Sequence, residues 1–121
     1  MFVLGGVDVV KEAVAEYVYE LVDCGLKETS IKLPWALTAH SCASTGKEIF
    51  ICGSEMDLME KKCTMFDGKK FHTLPSTPTG HVMGQTVNYD TTIFTLGGKG
   101  LKKSDEFSEP CTLYTPSPGN L

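Results

Sequence analysis

Three histidines (His40, His72, His81), five cysteines (Cys24, Cys42, Cys52, Cys63, Cys111) and a complete absence of arginine bound the chemistry this chain can attempt. Structural zinc sites draw on closely spaced Cys and His pairs. The cysteines here are spaced by 18, 10, 11 and 48 residues, which matches no such pattern. Their odd number and even dispersal, with no basic leader or long apolar core in Met1–Gly6, read as reduced thiols of a cytoplasmic protein. Such thiols pack as small hydrophobes. His40 and His81 have no carboxylate or cysteine obviously placed with them, so hydrogen-bonded structural roles are expected. Arginine is the usual side chain for bidentate capture of phosphates and carboxylates, and its absence weighs against such ligands. Gly97-Gly98-Lys99-Gly100 has neither the spacing nor the following helix of a phosphate loop. The residues therefore imply no catalytic site, no metal and no cofactor.

Composition narrows the classes further. A net charge of −4, with no basic run longer than a scattered lysine pair, argues against a nucleic-acid partner. No apolar run approaches the roughly 18 residues of a membrane span, so no membrane partner is expected. Twelve glycines and six prolines in 121 residues describe a turn-rich globular chain and favour an all-β fold.

The elements that would carry any function emerge from a phrase that recurs. Met1-Phe-Val-Leu-Gly-Gly, Ile49-Phe-Ile-Cys-Gly-Ser and Ile93-Phe-Thr-Leu-Gly-Gly each set an apolar strand before a small-residue pair. Their aromatic members, Phe2, Phe50 and Phe94, lie 48 and 44 residues apart. Glycine at such a point frees the chain for positive φ or for close approach of another backbone. Between the anchors, Cys63-Thr-Met-Phe echoes Cys111-Thr-Leu-Tyr, with Val18-Tyr-Glu-Leu in the first slot. Leu33-Pro34 and Thr77-Pro78 stand 16 residues before Ile49 and Ile93. Each unit thus reads as four short strands in about 45 residues, the period of a propeller blade. One stretch has two readings: Val10, Val14, Tyr17 and Leu21 fall at helical spacing between Asp8 and Gly25. The other reading, a loop to Ala15 followed by a strand over Glu16–Val22, fits the register of the other two units and is the one expected.

These motifs resemble the kelch family, over nearly the whole chain. The family's glycine pair is met at Gly5-Gly6 and Gly97-Gly98 and half-met at Gly53-Ser54. Its tyrosine is met by Tyr19 and Tyr114, with Phe66 substituting. Its tryptophan is replaced by Phe71 in one unit and by Leu26 in another, and the arginine frequent after the proline is replaced by Leu37 and His81. The resemblance implies kelch-type blades, four-stranded antiparallel sheets, partitioned as 1–34, 35–78 and 79–116, with 117–121 a flexible tail. It also implies an interaction module, a scaffold or adaptor for other proteins. A few kelch-like propellers are oxidases or sugar epimerases, which leaves an enzyme fragment as an alternative, and a small α+β domain built on the 8–25 helix is another.

A closed propeller needs at least four blades, roughly 180 residues, against 121 here. The remaining blades are expected from a longer chain or from neighbouring copies. Binding residues concentrate on connecting loops. The longest follow the small-residue pairs and carry apolar points at Met56, Leu58, Met59, Leu101 and Phe107, the candidate partner contacts.

Overall fold

Valine, tyrosine and phenylalanine at period-2 spacing, cut by glycine and proline, give the chain strands and turns throughout. The computed structural model describes residues 1–56, 58–89, 92–99 and 111–114, and among them there is no helix and every strand pairing is antiparallel. The fold is all-β. It divides into two compact units, Met1–Thr38 and Ala39–Leu121.

The first unit pairs β1 (Phe2–Val3) with β4 (Tyr17–Val22), and β4 with β5 (Gly25–Lys32). A two-stranded ribbon of β2 (Val7–Asp8) and β3 (Ala13–Val14) stands between β1 and β4 in sequence. The helical reading of 8–25 is overturned, and with it the α+β alternative. Val10, which belonged to the supposed apolar stripe, is 90% exposed, whereas Val18, outside it, is fully buried. The β-branched and aromatic run Tyr17–Val22 instead satisfies its backbone on both sides, against β1 and against β5. Asp23 and Cys24 both take positive φ (48° and 64°), the two-residue turn whose twist matches a hairpin. A register irregularity between Tyr17 and Tyr19 is stitched by Thr29, whose hydroxyl donates to the Val18 carbonyl (2.7 Å) and accepts from the Ile31 amide (3.2 Å). Residues 9–12 form the ribbon's turn, so the expected loop to Ala15 is shorter than supposed.

The second unit holds a four-stranded meander, β6 (Ser41–Ser44), β7 (Ile49–Cys52), β8 (Cys63–Phe66) and β9 (Phe71–Leu74), in spatial order β6-β7-β8-β9. Beside it β10 (Gln85–Tyr89), β11 (Thr92–Leu96) and β12 (Cys111–Tyr114) form a three-stranded sheet. Because side chains alternate between faces, the register puts Phe50, Met65 and Leu74 on one face of the meander. There they form a core with Ile93 of β11. The opposite face holds buried Ile51 and Phe66, the latter stacked on Phe71 with ring centroids 4.7 Å apart. Full burial of Phe50 alone contributes about 2–3 kcal/mol of hydrophobic free energy. At one end of each sheet, Ser41 of β6 shares a hydroxyl hydrogen bond with Thr86 of β10 (2.5 Å). The two first strands therefore lie side by side.

Candidate functional site

The recurrent phrase occupies one station three times. Phe2, Phe50 and Phe94 each lie on a strand that runs into Gly-Gly or Gly-Ser, opposite Glu20 of β4, Met65 of β8 and Leu113 of β12. Phe50 is buried, while Phe2 and Phe94 are half-buried. Tyr19 sits on β4 opposite Val3, and Tyr114 on β12 opposite Ile93.

The glycines are required by geometry. Gly5, Gly6, Gly53, Gly97 and Gly98 all have φ between +63° and +98°, where a Cβ is strained. At Gly98 a Cβ would also lie 2.6 Å from the Val82 carbonyl oxygen, and at Gly53 it would lie 3.2 Å from the His81 carbonyl oxygen. In the first unit the Gly6 amide donates to the Leu37 carbonyl at 2.7 Å. Leu37 and His81 stand 44 residues apart, at matched places after Pro34 and Pro78, and both are fully buried. Gly6 and Gly53 thus each approach the matched position of the proline-led connection that follows, whereas Gly98 approaches Val82 in the connection that precedes it.

His81 is a structural bridge. Its Nδ1 lies 2.7 Å from the Gly97 carbonyl oxygen, which can only accept, so Nδ1 carries the proton. His72 pairs instead with Asp67 (Nε2 to Oδ2, 2.7 Å) in the turn between β8 and β9. His40 is half-buried ahead of β6. Among the described residues no group of three or more His, Cys, Asp or Glu side chains is placed to hold a metal ion.

The loop after Gly53 carries three of the candidate partner contacts, Met56, Leu58 and Met59. Its base is closed by the Gly53 amide donating to the Lys62 carbonyl (2.9 Å) and its interior by Met59 to Met56 and Lys62 to Met59. It is tied to the next connection by the Thr77 amide donating to Lys61 O (2.9 Å) and the His81 amide to Glu60 O (3.2 Å). Ser54 at its root is fully buried. On this fixed base the apolar tip faces outward: Leu58 is 68% and Met56 38% exposed, with Met59 half-buried. Leu58 holds φ +65°, a conformation that costs an ordinary residue about 1 kcal/mol or more. Leu101 and Phe107 lie outside the described residues.

Sequence reasoning missed two features here. Cys52 and Cys63 are joined by a disulfide rather than standing as reduced thiols, whereas Cys24 and Cys42 are free and exposed. The signal was available: the two cysteines end and begin the strands of one hairpin, so pairing puts them directly opposite each other. The second feature is Trp35, the chain's single tryptophan. It lines a groove of about 230 Å³ in the first unit, with Val14, Ala15, Glu16, Leu33 and Pro34. That groove lies beside a ribbon whose turn exposes Val9 and Val10.

No family model matches the chain, and no curated protein matches it either. No helix among the described residues is long and apolar enough to cross a membrane.

Proposed function

We propose that this chain is a stretch of kelch-type β-propeller and that the loops after its glycine pairs bind another protein, as in a scaffold or adaptor. The observation that carries the reading is a recurring approach: Leu37 and His81 lie 44 residues apart, and the glycines that meet them, Gly6 and Gly53, lie 47 apart. The Gly6 amide donates to the Leu37 carbonyl (2.7 Å), and Gly53 comes close enough to His81 that a Cβ would lie 3.2 Å from its carbonyl oxygen. A sheet-by-sheet repeat about an axis demands this kind of contact, because each blade must dock on its neighbour in the same way. The side-by-side first strands β6 and β10 agree with it, as does the four-stranded antiparallel meander β6-β7-β8-β9. The binding role rests on a tip that exposes Leu58 and Met56 above a base held by main-chain hydrogen bonds. A rigid base lowers the entropy lost on association.

The test places a photo-crosslinking residue at Leu58 in the full chain and compares it with the same probe carrying Met56→Asp. A partner that engages the tip gives a discrete adduct, and the added charge weakens capture about tenfold or more, the loss of one buried apolar contact plus an unpaired carboxylate. Equal capture with and without Met56→Asp would show that the tip is not the binding surface.

A further inference from the structure

We propose that the Cys52–Cys63 disulfide is a redox clamp on loop 53–62, holding the exposed tip in its binding shape when bonded and releasing it when reduced; this rests on the interaction reading above. The two cysteines occupy the last position of β7 and the first of β8, with Cα atoms 4.2 Å apart. They form a non-hydrogen-bonded pair, the closer of the two antiparallel pair types, since the next pair outward, Gly53 and Lys62, carries the amide-to-carbonyl bond. The disulfide therefore sits at the loop's root. Above it, the Thr77 amide and hydroxyl both donate to Lys61 O (2.9 and 3.4 Å) and the His81 amide donates to Glu60 O (3.2 Å). Freeing the root removes the one covalent tie and leaves the loop held by these bonds and by the Gly53–Lys62 bond at its base.

Access to the sulfurs is coupled to the loop. Cys52 and Cys63 are 6% and 4% exposed, so a thiolate reaches them when the loop lifts. Cys42, a free thiol one strand away, pairs with Ile51, which puts it on the opposite face of the sheet from the disulfide. The reductant thus comes from outside, as a dithiol. One of its thiolates attacks a sulfur, the Cys52–Cys63 bond breaks, and a mixed disulfide forms. Its second thiol then displaces the remaining cysteine, so the protein gains two electrons and two protons while the dithiol closes into its own disulfide. By linkage, a partner that binds the oxidised tip more tightly than the reduced one also shifts the thiol–disulfide equilibrium towards the disulfide.

The experiment is amide hydrogen exchange on the full chain without any partner, in three states: oxidised in a glutathione disulfide buffer, reduced with dithiothreitol, and as Cys52→Ser/Cys63→Ser. The expected result is exchange about tenfold or more faster over 54–62 in the reduced and serine forms, with β10 and β11 unchanged. Equal protection of 54–62 in all three states overturns the clamp. So does loss of protection across β10 and β11, which would make the bond a staple of the whole unit, and so does failure of the disulfide to form. The Leu58 crosslink, repeated in both redox states, is expected to lose yield about fivefold or more on reduction, and equal yield overturns the regulatory role. A negative exchange result leaves the interaction reading standing. Absence of any Leu58 adduct in either state removes that reading while the exchange data still report on the loop.

Discussion

Glycine is where single residues dictate the most. Gly98 and Gly46 both sit at positive φ, +80° and +99°, but their surroundings differ. A Cβ at Gly46 meets nothing within 4 Å, whereas one at Gly98 lies 2.6 Å from Val82 O and 2.8 Å from the Gly84 amide nitrogen. Those neighbours are backbone and cannot rotate away. Gly46→Ala therefore costs the conformational strain alone, about 1 kcal/mol. Gly98→Ala adds a steric clash and is expected to cost about 3 kcal/mol or more. Urea denaturation of the two variants measures the gap; similar midpoints would mean the close approach at Gly98 does not exist in solution. This residue was legible in the sequence because its phrase recurs. Trp35 was not, since it occurs once and no periodicity marks it.

Among elements, the strands were legible where two signals agreed and ambiguous where they competed. Ile49–Cys52 had alternation, flanking turns and a repeat, and it is a strand. The 8–25 stretch carried a helical spacing of apolar residues, yet pairing with β1 and β5 won because β4 gains ladders on both edges. The spacing could not reveal that β1 would return to pair with it from across a ribbon. The β8–β9 hairpin shows how a turn is fixed by charge. Asp67 accepts from the Lys69 and Lys70 amides at 2.8 and 2.9 Å and pairs with His72 at 2.7 Å. The His72 bond first, then the two amide bonds, holds the Asp67 carboxyl well below the usual carboxylate range. Folding thus lowers this pKa from its unfolded value near 4, and the unfolded chain binds more protons in acid. The turn's stabilisation is complete above about pH 5 and is lost as pH falls below 4. Asp67→Asn removes that slope. Stability measured from pH 2 to 6 should show wild type above the variant at pH 6 and the two converging towards pH 2; a constant gap would assign Asp67 a purely neutral hydrogen-bonding role.

At the scale of the molecule, the all-β class was legible because turn residues punctuate the chain at short intervals, but which faces meet was not. That depends on register, and a slip of one residue would turn Phe50 away from Ile93. In the second unit the stacked sheets share one core of Phe50, Met65, Leu74 and Ile93, so their stabilities are coupled. Phe50→Ala should cost about 3–5 kcal/mol and Ile93→Ala about 2–5 kcal/mol, transfer plus cavity terms. If each side chain fills space against the other, the second truncation enlarges a cavity already open, and the pair should cost less than the sum by about 1 kcal/mol. A double-mutant cycle in urea reads this directly. Strict additivity would mean the meander and the three-stranded sheet do not pack face to face through these residues, and the blade-on-blade docking that underlies the interaction reading would fail with it.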